Sequence, residues 1–191
     1  MKFTLSAQTP ENESARVLVA PIWENGHTTA QQVKLNVSGL NELVIQTEKE
    51  EKFTGALDTF LFLPMRNGLP YHRILLVGLG KQKDLDPERV RRFAATAIKS
   101  AETVSAKKIV FDLSYFAKLD LEHIVHALVE GVELGAYKFL KYKSKTALEK
   151  MQITPVEEVI LCGLEKRRFK KLEQVISIGK LFARATILSR D

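Results

Sequence analysis

The chain has 191 residues, 45% of them hydrophobic and 27% charged, which is the composition of a folded domain and enough length to bury a core without disulfides or a structural metal. The balance of 29 Lys and Arg against 23 Asp and Glu gives a net charge of +6, too small an excess to identify a nucleic-acid-binding protein by itself. With four histidines and one cysteine the chain cannot form an intrachain disulfide and has little material for a self-contained metal or thiol enzyme, so we expect a folded domain and not a complete catalytic machine.

Short apolar runs separated by turn signals predict strands in the first part of the chain. Four strands are predicted, at residues 2–8, 15–22, 59–63 and 73–77. Pro21 is expected to end the second of them, because proline cannot donate to a strand ladder. A helix of weak periodicity is assigned to residues 35–50, and the less regular first third is expected to add antiparallel strands to the sheet.

The second part of the chain alternates helices and strands. Asp86 as N-cap and Pro87 at the first helical position predict a helix start, and Asp120 predicts the start of a long helix whose apolar face reaches Tyr142. Further strands are predicted at residues 107–112 and 156–161, and a final helix from Phe169 to the end. The alternation predicts an α/β fold with a mixed, largely parallel sheet flanked by helices on both faces.

The segment Gly78-Leu79-Gly80-Lys81 follows a predicted strand and invites comparison with phosphate-binding loops. Backbone amides near a helix start can cradle an anion, but the segment has neither the G-x-G-x-x-G nor the P-loop pattern. The next helix begins six residues after Gly80, too far to share such a cradle. A structural turn is therefore favoured over a nucleotide site.

His123 and His126 stand three residues apart on the predicted long helix, a spacing that can place two imidazoles near one metal ion. On a helical wheel both lie opposite the apolar face, beside Glu130, so a solvated surface pair is favoured. His27 and His72 are isolated beside turn residues. The chain also has no G-x-S-x-G nucleophile elbow, and we assign no catalytic, metal-binding or cofactor-binding residue.

The sequence also bears on the cellular compartment of the protein. The apolar content of the amino-terminal segment breaks at Ser6, Gln8 and Pro10, unlike a secretory signal. The most apolar stretch, residues 74–80, is far shorter than the ~20 residues that span a bilayer. Cys162 ends an apolar run and is expected to be a buried core thiol. We therefore expect a soluble, cytoplasmic protein with no membrane partner.

Two runs of basic residues stand out. Lys138, Lys141, Lys143 and Lys145 lie near the predicted end of the long helix, where cations complement the helix dipole. The second run lies at the start of the final helix, where the positive end of the helix dipole disfavours cations. Its basic members are Lys166, Arg167, Arg168, Lys170 and Lys171. With one interleaved aromatic, Phe169, this run is a candidate for weak contact with nucleic acid, another anion or an acidic partner.

The final helix has an unusual distribution of apolar residues. Between residues 181 and 188 only Arg184 and Thr186 are polar, so this part is expected to be buried on more than one side. The sequence stops at Asp191 without a glycine cap or a proline. A subunit interface is one explanation. The favoured one is that the helix leads into a further part of a longer protein, which should cover Phe182 and Leu188.

Three segments carry a family resemblance. Residues 130–139 have the sequence E-G-V-E-L-G-A-Y-K-F and are followed by Tyr142-Lys143, while residues 73–81 have the sequence R-I-L-L-V-G-L-G-K. The first resembles the E-G-x-x-L-G-x-Y-x-F-x-x-Y-K helix, and the second the R-x-x-x-V-G-L-G strand and turn, of leucyl aminopeptidases, the M17 or cytosol aminopeptidase family. Residues 183–191 resemble the linker helix that enters the catalytic domain of that family. The resemblance spans roughly residues 15–191.

The resemblance implies an N-terminal α/β domain of macro-domain-like fold at residues 1–165 and a linker helix at residues 166–191 that leads to an absent C-terminal catalytic domain. That domain would carry two divalent metals (zinc, often manganese or magnesium), a catalytic lysine and an arginine in an N-T-D-A-E-G-R motif. The full-length protein, implied to be a homo-hexamer, would release N-terminal residues, notably leucine. None of those motifs occurs in this chain, so no metal or catalytic residue is carried over.

Gly131 and Gly135 of the matched helix have a physical interpretation of their own, as a stripe of small residues that another backbone can approach closely. The leading hypothesis is a non-catalytic N-terminal domain that serves assembly and access to the active site. Two alternatives stay open. One is a standalone macro-like module for a nucleotide or ADP-ribose, with Gly78 to Gly80 as its available cradle; the other is nucleic-acid contact through the second basic run.

Overall fold

The computed structural model describes residues 1–24, 40–65, 71–138 and 154–190. Within these ranges the strands are β1 (Lys2–Leu5), β2 (Val17–Trp23), β3 (Phe60–Pro64), β4 (Arg73–Gly80), β5 (Lys108–Asp112) and β6 (Glu158–Cys162). The α-helices are α1 (Leu40–Glu51), α2 (Pro87–Thr103), α3 (Leu121–Ala136) and α4 (Phe169–Leu188). Short 3₁₀ helices occupy Pro10–Asn12, Gln82–Asp84, Leu113–Phe116 and Lys166–Arg168.

The strands form one sheet in the order β1-β6-β5-β2-β4-β3. Every pairing is parallel except that of β3 with β4, which is antiparallel and lies at one edge. Parallel strands of one sheet need long crossovers: α2 connects β4 to β5, which flank β2, and α3 connects β5 to its neighbour β6. The predicted mixed, largely parallel sheet is confirmed, including an antiparallel strand from the less regular early part of the chain.

Helices cover both faces of the sheet, which is why its central strands are continuous apolar runs. All seven residues of β2 are buried. Val17 and Val19 face the larger core cluster, which α2, α3 and α4 complete, whereas Leu18 and Ala20 face the smaller one with Val44 of α1. The predicted cover on both faces is therefore confirmed, with three helices on one side and α1 on the other.

Two predicted helix starts are confirmed by their caps. The Asp86 carboxylate accepts a hydrogen bond from the backbone N–H of Arg89 at 2.7 Å. The Asp120 carboxylate accepts from the backbone N–H groups of Glu122 and His123 at 3.2 and 3.3 Å. Each cap satisfies amides that the first helical turn leaves without a partner.

Helix ends agree less well with the sequence predictions. α3 ends at Ala136 because Tyr137 adopts extended backbone angles (φ −65°, ψ 132°), so the prediction that this helix continues to Tyr142 is wrong. Residues 139–142 lie outside the described part of the chain, as do residues 35–39 of the predicted first helix, whose described part begins at Leu40.

β2 continues through Pro21, so the prediction that this proline ends the strand is wrong. The Arg73 N–H of β4 donates to the Arg16 carbonyl at 3.2 Å, which places even-numbered residues of this strand toward β4 and odd-numbered ones toward β5. The β5 ladder ends at Val19. Pro21 is odd-numbered and therefore faces β5, but β2 makes no ladder hydrogen bond to β5 beyond Val19. The N–H that a proline lacks therefore costs the sheet no hydrogen bond.

β4 likewise continues through Gly78 and Gly80, so the prediction of a turn at these glycines is wrong. The backbone of a neighbouring segment crosses them: the Gly80 N–H donates to the Gly55 carbonyl at 3.0 Å and the Gly78 N–H to the Thr59 carbonyl at 2.8 Å. A Cβ on Gly78 would lie 2.0 Å from the Ala56 carbonyl oxygen. The glycines thus allow two backbones to pass in contact and do not form an anion cradle.

Candidate functional site on the last helix

α4 packs on α3 through one stripe of small and apolar residues. The buried members of the stripe are Leu172, Ile176, Gly179 and Ala183. A Cβ on Gly179 would lie 3.1 Å from Val129 Cγ1 and 3.2 Å from the His126 carbonyl oxygen, so the helices touch at this point. The stripe fixes which face of α4 points away from the sheet.

The opposite face of α4 exposes four large apolar side chains, which we call the outer patch. Its members are Ile178, Leu181, Phe182 and Leu188, which are 47%, 63%, 59% and 75% exposed. The sequence predicts burial on more than one side of this helix, but the described residues bury one side. Several large apolar side chains exposed on one helix are typical of an interaction surface. No described helix, α4 included, combines the length and apolarity needed to cross a bilayer.

Lys180 fastens α4 to the start of the chain. Its Nζ donates to the Met1 carbonyl oxygen at 2.9 Å, lies 4.0 Å from Glu133 Oε1 and is 5.6 Å from the centroid of the Phe3 ring. This contact has no signal in the sequence, because the partners are about 180 positions apart and meet only when β1 lies beside α4. The lysine helps to hold α4 in one orientation.

A partly buried ion pair, between Arg91 and Glu130, lies near the outer patch. Glu130 was predicted on a solvated face, which is wrong: it is 6% exposed and accepts a hydrogen bond from Arg91 Nε. His126, predicted on the same face, is also largely covered, with its Nδ1 3.6 Å from Glu130 Oε1 and its ring edge-on to Phe182 at 5.4 Å between centroids. Burial lowers the pKa of Arg91, but the hydrogen bonds and charges of Glu130 and Glu88 together outweigh it, so the pKa is raised.

The remaining titratable candidates lie apart from one another. His123 is on the surface as predicted, 79% exposed, with Nδ1 2.7 Å from Asp120 Oδ2. His72 is exposed, and His27 lies outside the described residues. Cys162 is buried as predicted, and burial raises the pKa of its thiol, which suits an inert core residue. In the described ranges no group of three or more His, Cys, Asp or Glu side chains is placed to hold a metal ion.

The second basic run spans the 3₁₀ helix Lys166–Arg168 and the first turn of α4. Two of its cations have carboxylate partners: Arg167 Nε lies 2.5 Å from Glu165 Oε2, and Lys171 Nζ lies 2.7 Å from Glu122 Oε1. The others are exposed, with no ion pair to a described residue; they are Lys166, Arg168 and Lys170. Arg168 and the two paired cations border a shallow depression of about 250 Å³.

The first basic run is described only at Lys138. Its Nζ lies 2.7 Å from Oε2 of Glu102, a buried carboxylate in the last turn of α2. Lys138 therefore compensates a charge that would otherwise be costly to bury. Lys141, Lys143 and Lys145 lie outside the described residues.

The glycines at residues 131 and 135 lie where α2 and α3 meet. A Cβ on Gly131 would be 2.3 Å from the Arg91 carbonyl oxygen, and one on Gly135 would be 2.7 Å from Ala95 Cα. The predicted small-residue stripe is confirmed. Arg91 therefore meets this segment twice, through its carbonyl at Gly131 and through its side chain at Glu130.

The sheet order, the covering helices and the outer patch define an α/β domain with one helix face that the described residues leave largely exposed. A sequence model described as "Cytosol aminopeptidase family, N-terminal domain" matches residues 19–146, more than half of the chain. The chain belongs to the cytosol aminopeptidase family and corresponds to its N-terminal domain.

Curated relatives agree with this assignment. The chain is 27% identical over 192 residues to a probable cytosol aminopeptidase of Alkaliphilus oremlandii, covering 100% of this chain and 38% of that protein. It is 30% identical over 155 residues to a probable cytosol aminopeptidase of Persephonella marina, covering 80% of this chain and 30% of that protein. The chain thus spans well under half the length of these relatives.

Solved structures share the fold. A mutant of tomato leucine aminopeptidase matches with a TM-score of 0.80 at 20% identity, over 100% of this chain and 37% of that one. The bottromycin maturation enzyme BotP in complex with Mn matches with a TM-score of 0.61 at 20% identity, over 93% of this chain and 31% of that one. These matches do not support the alternative of a standalone macro-like nucleotide or ADP-ribose module, for which the glycine segment in β4 also supplies no cradle.

Proposed function

We propose that this chain is the non-catalytic N-terminal domain of a leucyl aminopeptidase, with residues 1–165 as the α/β domain and residues 166–191 as a linker helix that leads into a C-terminal catalytic domain. The observation that carries the proposal is the match of the whole chain to 38% of a cytosol aminopeptidase. The exposed outer patch on the proposed linker helix supports it, because such a surface calls for further protein beside it.

In this proposal the full-length protein removes N-terminal amino acids, notably leucine, from peptides in the cytoplasm. Two divalent metals, zinc or manganese, would supply the hydrolytic chemistry in the catalytic domain. The residues described here do not fit such a centre, since they include no group of three or more candidate ligands. We propose instead that this domain, of macro-domain-like fold, serves assembly of a homo-hexamer and access to the active site.

We expect the product of the complete gene to hydrolyse leucine-p-nitroanilide when Mn²⁺ or Zn²⁺ is supplied, and the 191-residue chain to show no activity above a buffer blank. The physical reason is that the described part of the chain offers no set of ligands for the metals. The measurement is the rate of p-nitroaniline release at equal molar protein, with a chelator-treated sample as control. Metal-dependent hydrolysis by the purified 191-residue chain would contradict the proposed division of labour.

A second candidate role is weak contact with nucleic acid, favoured by the three exposed cations of the basic run that lack a described ion pair: Lys166, Arg168 and Lys170. Three phosphate contacts would give a slope of roughly −3 for log K against log salt on duplex DNA. We expect Arg168→Ala to reduce that slope by about one, and Arg167→Ala by less because Glu165 already pairs with Arg167. Fluorescence anisotropy across a salt series measures it.

The matched control for this measurement is Lys99→Ala, which removes an exposed cation of α2. It should leave the slope unchanged. If Lys99→Ala and Arg168→Ala weaken binding equally, the contact is a general attraction to a positively charged protein and the basic run has no particular role.

A further inference from the structure

We propose that the depression beside Arg168 is a binding site for a small phosphate monoester with a compact apolar substituent. The depression lies between the starts of α3 and α4. The proposal goes beyond the aminopeptidase function and does not depend on it. Although Arg168 also belongs to the basic run, the ligand proposed here is a small molecule and not a nucleic-acid backbone.

Three cations line the depression against one carboxylate. Arg167, Arg168 and Lys171 border it together with Glu122. Lys171 pairs with Glu122 and Arg167 with Glu165, but these four side chains are 36% to 81% exposed, so water screens both pairs and an incoming anion can replace either carboxylate at little cost. Arg168 has no ion pair to a described residue, and its guanidinium fork matches two oxygens of a phosphate group.

The same cations stand at the positive end of a helix dipole. α4 begins directly after the 3₁₀ helix Lys166–Arg168, and no described side chain caps its start. Cations are disfavoured at that end, so the described residues leave an excess of positive charge beside the depression. A bound dianion would offset this charge. The start of α3 differs, because the Asp120 carboxylate already caps it.

The size of the depression limits what it can hold. Its volume of about 250 Å³ equals that of roughly eight water molecules in the liquid, which is room for a phosphate group and its first waters. Pockets that enclose drug-sized ligands have volumes of about 300–1,000 Å³. The depression therefore fits a phosphate group better than a whole nucleotide.

A second depression, of about 200 Å³, adjoins the first and shares Arg167 and Arg168 with it. Its floor is apolar, because the buried side chains of Leu113, Leu121 and Leu164 line it. These leucines follow the carboxyl ends of β5 and β6 or begin α3, and ligands of α/β proteins bind outside the carboxyl ends of the strands. A phosphate held by Arg168 therefore places a compact apolar substituent against the leucines.

An NMR titration of the isotopically labelled chain tests the proposal, with phenyl phosphate and inorganic phosphate as the two probes. We expect saturable shifts of the backbone amides of residues 121–122 and 163–172 with both probes. Phenyl phosphate should bind about fivefold more tightly, because its ring leaves water when it contacts the leucines. Arg168→Ala should weaken the binding of either probe at least about tenfold, the loss expected for hydrogen bonds between charged groups.

Lys170→Ala is the matched control. Lys170 is an exposed cation of the same basic run, but it borders neither depression. Its replacement lowers the net charge by the same amount as Arg168→Ala, so the affinity for both probes should stay within about twofold if position decides and net charge does not. Circular dichroism checks that both variants keep the parent fold.

Four outcomes would overturn the proposal. Equal losses for Arg168→Ala and Lys170→Ala would mean a general attraction of anions to the basic run. Shifts that never saturate would mean that the depression is not a site. Equal affinity for the two probes would remove the apolar substituent and leave a site for free phosphate. Saturable shifts of residues 163–172 with duplex DNA but not with phenyl phosphate would assign the surface to nucleic acid. None of these measurements uses hydrolytic activity, so the proposed function is tested separately.

Discussion

Replacing Gly131 with alanine should lower the free energy of unfolding by about 2–4 kcal/mol. The added Cβ would lie 2.3 Å from the Arg91 carbonyl oxygen and 2.7 Å from Arg91 Cα, both backbone atoms that cannot rotate away. α2 and α3 must then separate, and packing is lost along their contact. The gain in helix propensity, about 1 kcal/mol, is too small to offset this loss.

Two other glycines of the same helix assembly calibrate the effect. Gly135→Ala should destabilise less, because its nearest contacts are Cα and Cβ of Ala95 at 2.7 and 3.0 Å. Gly179→Ala should change stability by under about 1 kcal/mol, because its contacts exceed 3.0 Å and one is a valine side chain. Urea unfolding, followed by circular dichroism, measures the order of the three losses of stability. If the Gly131→Ala protein is as stable as the parent, the close approach of α2 and α3 is wrong.

These glycines also show what the sequence can predict about this fold. Caps and periodicity predict most elements, because Asp86 and Asp120 satisfy the amides of their own helices and need no distant partner. The stripe at Gly131 and Gly135 is predictable for a similar reason, since small residues at four-residue spacing lie on one face of a helix. Local chemistry therefore predicts the elements and one helix contact.

The errors arise where a distant segment decides the environment of a residue. Pro21 continues a strand because the β5 ladder stops at Val19, and Gly78 lies in a strand because the segment near Ala56 crosses it. The sequence predicts Glu130 in solvent because its own helix has a polar face at that position. The glycine stripe beside it brings α2 close enough to bury it against Arg91, a consequence that required knowing which helix packs against the stripe.

The sequence predicts one property of the candidate site, its apolar character, but does not predict which of its residues are exposed. The apolar character of the last helix was visible in the sequence, and it led to the expectation of burial on several sides. The sequence does not show which residues of this helix face outward. That depends on the stripe that packs on α3 and on the contact of Lys180 with Met1. In the helix that carries the family resemblance, Glu130 and Gly131 both contact α2, the first through the Arg91 side chain and the second through the Arg91 backbone.

Replacing Arg91 with methionine should cost about 2–3 kcal/mol, because it leaves the Glu130 carboxylate buried with His126 Nδ1, 3.6 Å away, as its nearest remaining ion-pair partner among the described residues. We expect less than the 3–5 kcal/mol of a fully buried pair, since the Arg91 side chain is 33% exposed and water can reach the gap. Combining Arg91→Met with Glu130→Leu should recover much of the loss, giving a coupling energy above about 1.5 kcal/mol in a double-mutant cycle.

The next residue of the same helix supplies the matched control for this cycle. Arg92 pairs with Asp58 through a bond of 3.0 Å from Nε, but both side chains are more than 40% exposed. Arg92→Met should therefore change the free energy of unfolding by under about 1 kcal/mol, because water screens an exposed pair. Chemical unfolding of the variants under one buffer gives all the values. Two results would contradict this prediction: equal losses of unfolding free energy for Arg91→Met and Arg92→Met, or a double variant whose loss is the sum of the single losses. Either result would mean that the burial of Glu130 does not strengthen its pairing with Arg91.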